Sequence, residues 1–199
     1  MRRGFPRLRA RRLERSPTTH KPNGRRARPF TVVEAVGIEE KEGEAHRAQH
    51  PLGRVPVIEE NGRHLFETGA ICLHLADLHP EAALIAAPGS PERALTYQWL
   101  FFAKTEIEPY ILMTPDDESE HAATMNERLR AAAQVVEETL AGTEYLVGDR
   151  FGVTDVPVGS ILLLADQFQL VEGMPNVEAY CARLAARPAY ERAHAIGPV

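Results

Sequence analysis

Cysteines and long apolar runs are scarce in this chain, which limits the possible classes of protein. The two cysteines, Cys72 and Cys181, lie far apart on apolar faces of predicted helices. This usage excludes a disulfide-stapled scaffold, indicates a reducing compartment and predicts buried thiols rather than nucleophiles. No apolar stretch approaches the roughly 18 residues of a membrane span. We therefore expect a soluble, cytoplasmic protein without a membrane partner.

Metal-binding motifs are also missing. The eight histidines form no HExxH motif, and the two cysteines form no CxxC-type set. His46 and His50 stand four residues apart, but Pro51 follows at once. We therefore predict no metal site.

The first 28 residues are poor in apolar and acidic side chains. They carry eleven Lys/Arg and one Glu, a charge of +10, whereas the remaining residues carry 12 basic and 27 acidic side chains, a charge of −15. No apolar residue lies between Leu13 and Ala27, so neither a strand nor an amphipathic helix is predicted there. Two different kinds of sequence meet near Pro29.

The chain does contain a strong hairpin signal after that junction. Strand-like runs over residues 55–59 and 63–66 flank an Asn-Gly dipeptide, and an earlier strand is predicted over 31–36. Pro56 should lie at a strand start or a bulge because it has no N–H to donate. A helix is predicted to open at Thr68, whose hydroxyl can cap free backbone N–H groups.

The rest of the sequence is predicted to be helical. Ser90 is a helix cap followed by proline, an apolar helix is predicted over residues 153–170, and Asn176 is predicted to cap a further helix that ends at Pro188. A hairpin next to helices, followed by a helical bundle, predicts an α/β domain and then an all-α domain. The chain is therefore predicted to divide into four parts. They are a basic segment at residues 1–29, an incomplete α/β domain at 30–79, a linker at 80–90 and an all-helical domain at 91–199.

Three motifs, in this order and spacing, resemble those of bacterial glutathione transferases. They are HPLGRVPV at 50–57 with ETGAI at 67–71, APGSPERA at 87–94 with QWLFF at 98–102, and YLVGDRF at 145–151 with TD at 154–155. The resemblance covers the chain from about Phe30 onward. It implies a thioredoxin-like domain followed by a helical-bundle domain, glutathione as co-substrate, a small electrophile as second substrate and a symmetric homodimer.

The resemblance assigns glutathione binding to five residues. Val55 precedes Pro56, which resembles the cis-proline of the family. Val55 would pair with the cysteinyl backbone of glutathione like an added strand. The helix start at Thr68 would hold the γ-glutamyl carboxylate. Glu67 would accept a hydrogen bond from the γ-glutamyl ammonium, and Arg54 would pair with the glycyl carboxylate. If they bind no ligand, the same residues have ordinary structural roles. Val55 and Pro56 are then a strand start, Thr68 is a helix cap, and Glu67 and Arg54 are solvated charges.

Other residues are given structural roles by the resemblance. Asp155 resembles the acid of the family's buried capping box, with Gly152 where the family has Ser or Thr, so the cap should be weaker. Four aromatic residues are predicted in the core and the dimer face, with the second-substrate pocket as an alternative for one or two of them: Trp99, Phe101, Phe102 and Tyr110.

The resemblance fails at the N-terminal end. The family begins with a strand, a loop bearing a catalytic Ser, Tyr or Cys, and a helix; the loop residue favours the reactive thiolate of glutathione. Here the Arg-rich segment takes those positions. Ser16 superficially resembles a catalytic serine, but no apolar stripe for the missing helix lies between it and Phe30. The catalytic residue is therefore unassigned.

Three explanations of residues 1–28 remain open. A basic tail for nucleic acid or an acidic surface is one, but Phe5 is its only aromatic residue, so a nucleic-acid partner is not expected. A targeting peptide is another. We favour a reading-frame error, because the segment has about the length of the missing unit and stops abruptly at Pro29. The chain as written should then have weak or no transferase activity; the alternative function is a non-catalytic glutathione-binding or protein-interaction module of the same fold.

Overall fold

The computed structural model describes residues 43–113 and 119–194, which fall into two compact units. The described part of the first unit spans residues 43–66, and that of the second begins at Glu67. The predictions for residues 1–28, for Ser16 and for a strand over 31–36 lie outside the described residues.

The first unit is a short helix followed by a β-hairpin. Helix α1 is Glu44–Arg47, and strands β1 and β2 are Val57–Glu60 and Arg63–Phe66. The strands pair antiparallel, with Val57 opposite Phe66. This confirms the predicted hairpin, although β1 begins two residues later than predicted. Pro56 lies just before β1, where its missing N–H costs no ladder hydrogen bond.

The turn of the hairpin follows from its two central residues. Asn61 has φ of 53° and Gly62 has φ of 74°. Positive φ at both positions is typical of a type I′ turn, whose twist matches that of the paired strands. Asn and Gly tolerate this backbone region better than other residues, so the dipeptide fixes the register locally.

The second unit is helical throughout. Helices α2 to α8 are Thr68–Leu78, Pro91–Phe102, Glu108–Met113, Glu120–Leu140, Pro157–Gln167, Pro175–Ala185 and Pro188–His194. A π-helical turn joins α3 to α4, and short 3₁₀ turns lie at Pro80–Ala82 and Val153–Asp155. The helix predicted over 153–170 is therefore wrong at both ends. It begins at Pro157, a residue suited to a first helical position because it has no N–H to leave unpaired.

The core of the second unit lies among α3, α5, α6 and α7. Its buried side chains recur on one face of each helix and include Trp99, Ile107, Leu129, Leu162 and Tyr180. Burying each large apolar side chain contributes roughly 1.5–3 kcal/mol. Within the described ranges, no helix combines the length and apolar character that a membrane crossing requires.

The predicted aromatic cluster divides between core and surface. Trp99 is buried, and Phe102 packs against it edge to face with ring centroids 5.5 Å apart. Tyr110 is half-buried, whereas Phe101 is 71% exposed. The cluster therefore supplies both a core contact and an exposed aromatic ring on α3.

A buried arginine links α2 to α3. The Arg93 guanidinium donates two hydrogen bonds to the Asp77 carboxylate, at 2.8 and 2.7 Å, and its Nε donates to the Tyr97 hydroxyl at 2.7 Å. It also donates to the carbonyl of Ala86 at 3.2 Å, which fixes the preceding connection. The hydrogen bond from Arg93 holds the pKa of Asp77 below its usual range. The backbone N–H of Arg93 is in turn capped by the Ser90 hydroxyl, as predicted.

Helix α7 is capped from another helix, so the prediction that Asn176 caps it is wrong. The helix begins at Pro175, and Met174 at the cap position offers no side-chain hydrogen bond. Instead the buried Glu137 carboxylate of α5 accepts from the N–H groups of Asn176 and Val177, at 3.1 and 2.8 Å. A carboxylate at a helix N-terminus also interacts favourably with the helix dipole.

Candidate functional site

In the first unit, Val55 lies just before β1 with backbone groups that pair with no described residue. The Val55–Pro56 peptide bond is cis, as the resemblance implied. Val55 is 46% exposed, and its backbone N–H and C=O form no hydrogen bond with another described residue. Most backbone groups in folded proteins are paired. An extended peptide could therefore pair with Val55 in the manner of an added strand.

Two histidines hold the loop that carries Val55. His46 Nε2 donates to the Arg54 carbonyl at 3.0 Å, and the buried His50 accepts from the Leu52 N–H at 3.1 Å. The His50 ring also lies 4.8 Å from that of Phe66 in β2. Sequence reasoning considered these histidines only as metal ligands and missed this supporting role. Their spacing of four residues, next to a Pro-Leu-Gly turn, was the available signal.

Arg54 completes the candidate residues of the first unit. Its carbonyl is held by His46, while its side chain is exposed. The guanidinium has no hydrogen-bond or ion-pair partner in the described part of the chain. It is therefore available to a planar anion such as a carboxylate.

In the second unit, the start of α2 combines a strained residue with an uncapped helix end. Glu67 has φ of 71° and ψ of 117°, a region that non-glycine residues rarely occupy, and such strain costs of order 1–3 kcal/mol. Glu67 occupies the cap position but makes no side-chain cap hydrogen bond. The prediction that the Thr68 hydroxyl caps this helix is therefore wrong, because Thr68 is already the first helical residue.

The uncapped end leaves donors available at the start of α2. The N–H of Ile71 is the first to bond within the helix, to the Glu67 carbonyl at 2.9 Å. The N–H groups of Thr68, Gly69 and Ala70 consequently have no intrahelical acceptor. Together with the positive end of the helix dipole, they can hold an anion. The structure thus places Arg54, Val55 and Pro56 in one unit and Glu67 and Thr68 in the other, and their roles toward glutathione remain predictions.

Asp155 is buried at the junction before α6. Its carboxylate accepts from the Gly152 N–H at 2.7 Å, the Leu146 N–H at 3.2 Å and the Tyr180 hydroxyl at 2.8 Å. Burial raises the pKa of Asp155, and these hydrogen bonds oppose the rise. At Gly152, a Cβ would lie 3.1 Å from the Leu84 carbonyl oxygen, so that oxygen crowds the place of the usual capping side chain.

Neither thiol has the character of a nucleophile. Cys181 is 2% exposed, and burial raises its pKa to about 12. Cys72 is half-buried, and burial raises its pKa as well. Both are therefore protonated near pH 7, whereas the thiolate is the reactive form. Across the described ranges, no group of His, Cys, Asp and Glu side chains is arranged to hold a metal ion.

Comparison with known proteins identifies the family. The glutathione S-transferase N-terminal domain matches residues 30–77, and the glutathione S-transferase C-terminal domain matches residues 94–188. The Escherichia coli O157:H7 protein glutathione S-transferase GstA is 32% identical over 166 residues, which cover 80% of this chain and 82% of the relative. Zea mays glutathione S-transferase 4 is 30% identical over 190 residues, 83% of this chain and 82% of the relative. The chain belongs to the glutathione S-transferase family.

Solved structures confirm the predicted fold class. A glutathione transferase from Methylococcus capsulatus is 31% identical with a TM-score of 0.70, over 77% of this chain and 78% of that one. A sphingomonad glutathione S-transferase complexed with glutathione is 28% identical with a TM-score of 0.70, over 79% of this chain and 81% of that one. The fold is a thioredoxin-like domain with a small sheet, followed by a helical domain. The domain boundaries predicted from the sequence remain predictions.

Proposed function

We propose that this chain uses glutathione as co-substrate and binds it through Arg54, Val55, Pro56, Glu67 and Thr68. The observation that carries the proposal is the start of α2, where a strained Glu67 precedes an uncapped helix end. Strain of this kind is commonly retained at ligand sites. The γ-glutamyl carboxylate is an anion that would satisfy the free N–H groups, and its ammonium would pair with the Glu67 carboxylate.

The backbone of Val55, which is unpaired within the described ranges, supports the second part of the proposal. The cysteinyl residue of glutathione has one N–H and one C=O, which match the C=O and N–H of Val55 that no described residue pairs with. The exposed Arg54 guanidinium would take the glycyl carboxylate at the other end of the tripeptide. This set provides a polar partner for each charged group and for the central backbone of the ligand.

The reaction we propose is attack of the glutathione thiolate on a small electrophile, at a weak or undetectable rate in this chain. The resemblance puts the thiolate-stabilising hydroxyl or thiol in positions taken here by the Arg-rich segment. Cys72 and Cys181 are no substitutes, since burial raises the pKa of both. A non-catalytic glutathione-binding or protein-interaction module remains the alternative, and it is favoured if glutathione binds without turnover.

We also propose a cytoplasmic homodimer. Large exposed apolar side chains on α2 and α3, namely Leu75, Tyr97 and Phe101, support an interface between two copies. Tyr97 and Phe101 are four residues apart and so lie on one face of α3. The usage of cysteine supports a reducing compartment.

Calorimetric titration with glutathione tests the binding proposal. Thr68→Ala should weaken glutathione binding by about tenfold or more, because a hydrogen bond to a charged group contributes about 1.5–3 kcal/mol and each 1.4 kcal/mol is about tenfold in affinity. It should leave the unfolding free energy unchanged, since Thr68 caps no helix. Thr105→Ala is the matched control, because the Thr105 hydroxyl, in the π-helical turn after α3, donates to the nearby Phe101 carbonyl of α3. Equal affinity in wild type and Thr68→Ala would remove Thr68 from the site.

A further inference from the structure

A cleft of about 210 Å³ lies beside α6 and α8 in the second unit. Val156, Leu163 and Ala193 contribute apolar walls, and Val156 is 42% exposed although its side chain is purely hydrocarbon. Gly159 lies at the floor, where a Cβ would come within 2.2 Å of Leu184 Cδ1. The glycine thus lets Leu184 lie directly against the backbone of α6. The cleft shares none of the residues proposed for glutathione.

One cation borders this apolar surface. The Arg187 guanidinium lies 3.5 Å from the centroid of the Phe151 ring, so stacking holds it in position. In the described part of the chain it makes no hydrogen bond or ion pair. Asp155 also lines the cleft. Burial raises the pKa of its carboxyl group, and the charge of Arg187 helps to lower that pKa. The Asp155 oxygens nevertheless accept from Gly152, Leu146 and Tyr180 and form no ion pair with Arg187. A stacked guanidinium keeps its N–H edge free, and that edge suits a carboxylate.

We propose that this cleft binds a small carboxylate that carries a single hydrocarbon group. The carboxylate accepts from the N–H groups of Arg187 that no described residue pairs with, and the hydrocarbon covers the apolar surface of Val156 and Leu163. The cavity is smaller than the roughly 300–1,000 Å³ of pockets for drug-sized ligands, which restricts the hydrocarbon to one chain or one ring. Charge complementarity selects the anion, since an uncharged or cationic analogue would form no ion pair with Arg187.

Titration of the full chain with sodium octanoate, followed by calorimetry, tests the proposal. Octanoate should bind at least tenfold more tightly than 1-octanol, which has the same chain without the charge. Arg187→Met should reduce octanoate affinity at least tenfold and leave octanol affinity unchanged. Arg192→Met is the matched control, because Arg192 is exposed on α8, the helix that begins directly after Arg187, and does not line the cleft. Its octanoate affinity should equal that of the wild type.

A second variant keeps the test decisive if Arg187→Met fails to fold. Val156→Asp changes an exposed position and places a negative charge on the apolar wall, so octanoate affinity should again fall at least tenfold. Saturating glutathione should not displace octanoate. The proposal is overturned if octanol binds as well as octanoate, if either variant binds octanoate like the wild type, or if glutathione competes with it.

Discussion

At the scale of single residues, Asp155 shows how one buried carboxylate joins separate segments. It accepts hydrogen bonds from Gly152, from Leu146 and from Tyr180 of α7. Asp155→Ala leaves two buried donors, the Leu146 N–H and the Tyr180 hydroxyl, and the half-buried Gly152 N–H unpaired, and each buried donor costs about 1–3 kcal/mol. We therefore predict a loss of roughly 3 kcal/mol or more in the free energy of unfolding, measured by urea denaturation.

The control for this prediction lies on the neighbouring helix. Asp166 is exposed on α6, and its carboxylate makes no hydrogen bond or ion pair with another described residue, so Asp166→Ala should change the unfolding free energy by less than about 0.5 kcal/mol. If Asp155→Ala were as stable as Asp166→Ala, the three hydrogen bonds would contribute nothing measurable, and the structural role of Asp155 would have to be abandoned.

Residue-level features were predictable where both partners lie close in the sequence. The Asn61-Gly62 turn and the Ser90 cap depend on neighbours within three residues, and the structure confirms both predictions. The strained backbone of Glu67 was not, because no sequence rule predicts positive φ for a glutamate. The support of the Val55 loop by His46 and His50 was missed for a similar reason, since it requires the folded loop to be known.

At the scale of elements, the ends of helices depend on partners from distant helices. Glu137 accepts from Asn176 and Val177, which lie about 40 residues later in the chain, so no local pattern could have indicated this cap. The sequence suggested Asn176 because asparagine is a common cap residue. The apolar periodicity of α3, α5 and α7 can be predicted from the sequence. The side chain that accepts from the N–H groups at the start of α7 cannot.

We predict that Glu137→Ala destabilises the second unit by about 2–3 kcal/mol, because the buried N–H of Val177 and the half-buried N–H of Asn176 lose their acceptor. Glu138→Ala is the matched control, since Glu138 is the exposed neighbour on α5 and accepts only from Gln134 at 3.1 Å. Thermal or urea unfolding of both variants gives the comparison. Equal losses in the two variants would contradict the capping role of Glu137.

The ion pair between α2 and α3 predicts an acid-dependent loss of stability. Arg93 lowers the pKa of Asp77 below its ordinary value of 3.8. The carboxylate therefore stabilises the fold above that value, and its contribution is lost as the pH falls through the lower pKa of the folded state. Asp77→Asn should lower the free energy of unfolding at pH 6. Between pH 6 and pH 3, the variant should lose less of its free energy of unfolding than the wild type does. If the variant lost as much of its free energy of unfolding as the wild type over this pH range, Asp77 would not be the cause of the acid-dependent loss of stability.

At the scale of the whole molecule, the exposed rings of α3 predict the state of assembly. Phe101 is 71% exposed, and Phe101→Asp should convert a dimer to a monomer in analytical ultracentrifugation because it places charge in the proposed interface. Val135→Asp is the matched control, since Val135 is 45% exposed on α5 and lies outside the face formed by Tyr97 and Phe101. A wild-type monomer, or a dimer that survives Phe101→Asp, contradicts this interface.

The protein can have the fold and the glutathione-binding groups and still catalyse the transferase reaction only weakly. The pH profile of the rate distinguishes binding from catalysis. Glutathione has an ordinary thiol with a pKa near 8.5, so only a few per cent is thiolate at pH 7 unless a donor stabilises it. Without such a donor, the rate with an activated aryl chloride should stay near the protein-free rate. It should also rise about tenfold per pH unit up to about pH 8.5, as the thiolate fraction does. Retention on glutathione resin with this profile supports binding without efficient catalysis.

The opposite outcome is equally specific. A rate far above the protein-free reaction, with a plateau that begins well below pH 8.5, would mean that bound glutathione is held as the thiolate. A stabilising donor would then have to act on the sulfur, and the proposal of weak activity would be wrong. Thr68→Ala distinguishes the cases further: it should reduce retention on the resin in either case, but it should leave the pH of the plateau unchanged, because Thr68 is proposed to contact the γ-glutamyl carboxylate and not the sulfur.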